Sequence, residues 1–193
     1  MKTRRMRLTA LFFVAAVSTA AAGPVVDAAT KAEGLAASGK TVEALDALDK
    51  AADTIWQEGP LAFRKVALVD SFGGYGIYEE RADKTFRPDD KFMVYVAPVG
   101  FGYGRSGSST TIGFDADLAI RNDTGQVIVE RKGLMELSAQ SAPNRREFAM
   151  NLSFGVPFVR PGDYTAVFTL HDKNSDKSGT FEVPFTVALP TAN

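Results

Sequence analysis

The segment from Arg160 to Val187, RPGDYTAVFTLHDKNSDKSGTFEVPFTV, admits few structures. Tyr164, Ala166, Phe168 and Leu170 alternate with Thr165, Val167 and Thr169, and Phe181, Val183, Phe185 and Val187 alternate with Glu182, Pro184 and Thr186. A period of two gives each of two strands one apolar face. Pro161-Gly162-Asp163 interrupts the chain before the first strand, and the run from Lys173 to Gly179, rich in Asn, Ser and Asp, turns it between the two. A lone hairpin is marginal in water, so its apolar face demands more sheet to cover it.

The rest of the chain supplies that sheet. Leu61 to Val69, Tyr75 to Glu80 and Lys91 to Val99 read as strands, separated by a loop at Asp70 to Gly74 and a turn at Ala82 to Asp90. In Lys91 to Val99, Phe92, Val94 and Val96 oppose Met93 and Tyr95, so both faces are apolar and the strand belongs in the middle of a sheet. Gly100 to Thr111 reads as a long loop. Ile112, Phe114, Ala116, Leu118 and Ile120 then give the cleanest alternation, with Asp115 and Asp117 facing the other way. Asn122-Asp123-Thr124-Gly125 is a hairpin turn into a strand from Gln126 to Glu130 that extends as far as Ser138 unless Gly133 splits it. Phe148, Met150, Leu152 and Phe154 mark one more strand. About eight short strands with turns between them predict an antiparallel β-sandwich over residues 59–190.

What precedes the sheet is helical. Val25 to Ser38 is rich in Ala and ends at Gly39, and a second helix starts at Thr41, where Val42, Leu45, Leu48, Ala52, Ile55 and Trp56 form one apolar stripe. A helical hairpin is expected over residues 23–58, closed by Gly59-Pro60. Residues 1–22 read as a signal peptide: Lys2, Arg4, Arg5 and Arg7 precede an apolar run and an Ala20-Ala21-Ala22 site. The run is shorter than the roughly 18 to 20 apolar residues of a membrane span. Thr3-Arg4-Arg5 raises twin-arginine export, but Arg7 stands where that pattern has an apolar residue, which favours the general secretory route.

Export to a bacterial periplasm or outside the cell follows, and the absence of cysteine fits an envelope compartment in which the core alone holds the fold. It also removes thiolate metal sites, thiol nucleophiles and lipid attachment at cysteine. Subtracting the four leader cations from 22 Lys and Arg, against 23 Asp and Glu, leaves a net charge near −5. That balance argues against nucleic acid as a partner.

Two resemblances arise from particular residues. Ala32, Leu35, Gly39, Ala44, Leu45, Leu48 and Ala51 resemble a single degenerate tetratricopeptide repeat. Pro161-Gly162-Asp163-Tyr164 is similar to the tyrosine corner of immunoglobulin-like and fibronectin-III-like sandwiches of exported bacterial proteins, which implies that fold and a phenol bonded to nearby backbone. The Cys…Trp…Cys hallmark is absent, and the resemblance carries no functional residue.

Several patterns invite chemistry. Gly102-Tyr103-Gly104-Arg105-Ser106-Gly107 matches a dinucleotide fingerprint but lacks the helix that must follow it, so no cofactor is expected. Asp172, Asn174 and Asp176 open like a calcium loop, yet Lys177 stands at the glycine position and Val183 at that of the bidentate Glu, and no metal is expected. Asp115 and Asp117 loosely suit a paired-carboxylate hydrolase.

The loops Phe72-Gly73-Gly74-Tyr75-Gly76 and Gly100 to Arg105 offer more. Counting strand reversals puts both at one end, gathering Phe72, Tyr75, Phe101, Tyr103 and Arg105, with His171, into a rim suited to a glycan, small ligand or peptide. The alternative is that Phe72 and Phe101 turn inward and close the end of the sandwich. The functional expectation is a non-catalytic binding or structural module whose partner is another envelope protein, with glycan recognition at the rim as the first alternative and a carboxylate hydrolase as the second.

Overall fold

The computed structural model describes residues 23–142, 145–156 and 160–188; the expected leader lies outside them. The chain divides into two compact units, Met1–Ala51 and Ala52–Asn193.

In the first unit, α1 spans Pro24–Ala37 and α2, which runs on into the second, spans Thr41–Glu58. Gly39 adopts φ 75°, the Lys40 N–H donates to the Leu35 carbonyl and the Gly39 N–H to that of Ala36, the paired bonds of a Schellman stop. Ala32, Ala44, Ala47 and Ala51 are buried, whereas Val42, Leu45, Leu48 and Ile55 are about half exposed or more. The apolar stripe of α2 therefore exists, but the small alanine face beside it is the buried one.

Among the described residues, the second unit holds ten strands: β1 (Ala62–Gly74), β2 (Ile77–Glu80), β3 (Thr85–Phe86), β4 (Lys91–Val99), β5 (Gly104–Ser106), β6 (Ser109–Asn122), β7 (Val127–Ser141), β8 (Met150–Gly155), β9 (Gly162–Asp172) and β10 (Ser178–Val187). One sheet has the order β2-β1-β4-β8 and the other β3-β10-β9-β6-β5, with β7 also on β6. Substituting A, B and E for β1, β4 and β8, and C, C′, F and G for β6, β7, β9 and β10, reproduces the immunoglobulin arrangement. The fold is an immunoglobulin-like sandwich following two helices. Among the described residues, no strand stands in the place of D, the strand that would flank E.

The β9–β10 hairpin has the register its alternation requires: Phe181 lies opposite Phe168, Val183 opposite Ala166 and Phe185 opposite Tyr164. The Tyr164 hydroxyl donates to the Arg160 carbonyl at 2.6 Å, which makes the tyrosine corner at the start of β9. β4 is central, with Phe92, Val94 and Val96 in the inter-sheet core and Met93, Tyr95 and Ala97 in a second cluster on the outer face. Phe92 meets the rings of Phe86, Phe154 and Phe185, from strands of both sheets, at centroid distances of 4.7–5.1 Å.

Three boundaries differ from expectation. β1 continues through the expected loop to Gly74 and folds back with β2, so that the Gly76 N–H donates to the Tyr95 hydroxyl. Thr85–Phe86 crosses to the second sheet and pairs parallel with β10. Within the expected long loop, β5 pairs with the start of β6. The expected continuation beyond Glu130 is present, and β7 runs unbroken across Gly133, whose φ of 59° falls beside a register shift, as far as Ser141.

Candidate interaction surface

The aromatic rim expected from the sequence is not assembled. Phe101 is 1% exposed and closes one end of the core, meeting Trp56 at 4.9 Å, Tyr103 at 5.3 Å, Phe148 at 5.8 Å and Phe114 at 5.9 Å. The Trp56 indole N–H donates to the Phe101 carbonyl at 2.8 Å. Tyr103 is half-buried, its hydroxyl donates to the Arg145 carbonyl, and burial pushes its phenol pKa up. Arg105 is exposed on β5.

Phe72 lies elsewhere, against Tyr95 in the outer cluster, and Tyr75 is exposed at the β1–β2 turn. Ala62 pairs with Val99, so Gly100 and Phe101 come off β4 beside the start of β1, while Phe72 lies near the far end of β1 and Tyr75 just beyond it. The reason is topological: the crossing at β3 adds one reversal, which makes β4 antiparallel to β1 and sends the two loops to opposite ends.

The Phe101 end is fastened by polar groups. Lys177 donates from Nζ to the carbonyls of Trp56 (3.1 Å), Gln57 (2.9 Å) and Gly100 (2.8 Å), a cation at the negative end of α2. Gly100 has φ 82°, and a Cβ there would lie 2.6 Å from the Pro60 carbonyl oxygen, so only glycine fits. Asp172, 6% exposed, accepts from the Gly102 N–H (2.6 Å), the Asn174 N–H (3.0 Å) and the Ser175 hydroxyl (2.5 Å). The calcium-like signature thus folds its own turn, and among the described residues no acidic or histidine cluster is able to hold a metal ion. The glycine fingerprint is followed by β6 rather than a helix.

Asp115 and Asp117 share the outer face of β6, and each has a partner. Asp117 accepts from the Gly133 N–H at 2.7 Å and lies 3.1 Å from His171 Nε2, and the Gly133 bond foremost holds its carboxyl below the ordinary range. Lys173 is 3.9 Å from Asp115 and also bonds Glu136, which raises its pKa.

The feature that the sequence reading missed is an edge. β2 and β3 end their sheets as strands of four and two residues, β2 carrying Glu79 and Glu80. β7 has Glu130, Arg131, Lys132, Glu136 and the irregularity at Gly133. Short strands, charges and bulges all discourage edge pairing. β8 has none of these: it is six residues long, pairs with β4 without a register shift, and no charge stands between Glu147 and Arg160. Among the described residues its other side pairs with no strand. Asn151 on β8 keeps a buried Oδ1 without a hydrogen-bond partner, and its Nδ2 reaches only Met93 Sδ at 3.9 Å.

Beside this edge, between β8 and β7, a slot of about 280 Å³ opens toward the core. Leu118 and Ile120 form its floor, Val129, Leu134, Phe154 and Val156 its walls, and Asp89 and Arg131 its rim. Asp89 is held at φ 68°, with Val156 accepting from its N–H.

No family model and no curated protein matches this chain. Among solved structures it is similar to a family 123 glycoside hydrolase from Clostridium perfringens, at 12% identity and a TM-score of 0.37 over 67% of this chain and 27% of that one. It is also similar to a sporulation control protein from Bacillus subtilis (13%, TM-score 0.35, 68% of this chain and 51% of that one). A CARDB domain from Pyrococcus furiosus, solved in complex with di-metal ions, matches at 12% identity and a TM-score of 0.30 over 67% of this chain and 90% of that one. The chain thus spans about a quarter and about half of the first two. Likeness this loose carries no residue or activity across.

Proposed function

We propose that this chain is a non-catalytic binding module of the bacterial periplasm or cell envelope that holds a partner protein along the open edge of β8. The leader-like residues 1–22 support the compartment. The open edge carries the binding role: an uncharged, unbulged strand presents a row of backbone donors and acceptors to a partner strand. A hydrolase is disfavoured because the Gly133 N–H and His171 engage Asp117 and favour its carboxylate form, opposing the protonated state that a general acid must hold. A glycan rim is disfavoured by the burial of Phe101 and its separation from Phe72.

The test is photocrosslinking in the native host from a benzoyl-phenylalanine placed at Gly155, the exposed end of β8, with Thr180 on the outer face of β10 as control. The expected result is one adduct of defined mass at Gly155, none at Thr180, and loss of the adduct when Ser153→Lys charges the edge. Equal crosslinking at both sites, or an adduct indifferent to Ser153→Lys, would refute the assignment.

A further inference from the structure

We propose that the occupant of the β8 edge is an extended segment of the partner that drives one large apolar side chain into the slot beside β8 and sets a carboxylate two residues away against Arg131. This inference rests on the edge-binding reading and specifies its ligand.

A strand added to β8 turns every second side chain toward the inter-sheet layer. The slot lies there, with Leu118 and Ile120, 2% and 0% exposed, at its floor. At about 280 Å³ it falls just short of the roughly 300–1,000 Å³ of ordinary small-molecule pockets and suits a single Phe- or Leu-sized group. A second copy of this chain does not supply that group through its own β8, because Met150, Leu152 and Phe154 are committed to its own core.

The rim sets polarity. Arg131 is exposed and, among the described residues, carries no ion pair. Arg131 shares a face of β7 with Val129, a slot wall, so residues two apart on the incoming strand meet the slot and the guanidinium in turn. Asp89 on the opposite rim repels an acid there, so the acid lies on the Arg131 side of the apolar residue.

The experiment uses the full chain without its leader and fluorescein-labelled ten-residue Thr/Val peptides, read by fluorescence anisotropy. One carries a central Phe with Asp two residues on; the others replace Phe by Ala or Asp by Lys. The expected result is saturable binding of the first, about tenfold or more weakening on loss of Phe, the weight of one buried aromatic group, and several-fold weakening with Lys. Arg131→Glu should reverse the preference between the Asp and Lys peptides, and Val129→Trp, which fills the slot mouth, should erase the advantage of Phe over Ala.

If all three peptides bind alike and Ser153→Lys abolishes the binding, edge pairing stands and the slot assignment is overturned. If none binds at about 1 mM, the weak limit of useful affinity, the inference is also overturned; the Gly155 crosslink then decides separately whether the edge reading survives.

Discussion

Lys177→Met tests the fastening of the Phe101 end most sharply. The ammonium serves three carbonyls, of which those of Trp56 and Gly100 lie in part-buried bonds and that of Gln57 in an exposed one. On truncation the exposed carbonyl takes up water at little loss, while each part-buried one forfeits on the order of 1 kcal/mol. The lost cation at the helix C-terminus adds about 0.3–1 kcal/mol, for a total near 2–3 kcal/mol. Trp56 is the sole tryptophan and sits in this cluster, so urea unfolding followed by its fluorescence reads the event directly. At about 1–3 kcal/mol per molar the midpoint should fall by roughly 0.7–3 M. Lys173→Met, four residues away, removes only solvent-screened pairs with Asp115 and Glu136 and should leave the midpoint nearly unchanged. Equal, small shifts in the two variants would refute the reasoning.

Three further outcomes follow from the same contacts. Phe101→Ala should destabilise the sandwich by about 3–5 kcal/mol, seen as a large drop in melting temperature, because the ring is enclosed by four others. Tyr164→Phe, which deletes only the bond to the Arg160 carbonyl, should lose about 1 kcal/mol in the same denaturation assay. Asp117 has a depressed folded pKa, so its contribution is present above the unfolded value near 4 and is lost as pH falls through the folded value. Wild-type protein should therefore lose more stability below about pH 4 than Asp117→Asn, and parallel acid titrations would contradict this.

The sheet was legible where one face is wet. The β9–β10 register and the tyrosine corner follow from alternation and turn residues in a half-buried sandwich, while the central position of β4 follows from the opposite signal, apolar residues on both faces. The expected rim was not, because strand parity depends on Thr85–Phe86, two residues too few to show a period, which move to the other sheet. The stripe on α2 was read correctly as a pattern, but a pattern does not say which face is covered; close approach of two helices favours the alanines over the leucines. The open edge escaped notice for a similar reason. The uncharged run from Phe148 to Val159 is plain in the sequence, but a strand becomes an edge only through the order of its neighbours.

Residue-resolved amide hydrogen exchange along β8 probes the open edge without any ligand. Alternate N–H groups from Met150 to Gly155 point to β4 and away from it. The account predicts slow exchange for the first set and fast exchange for the second. Uniform protection along β8 would mean that its outer side is already covered, and the binding role assigned to it would fall.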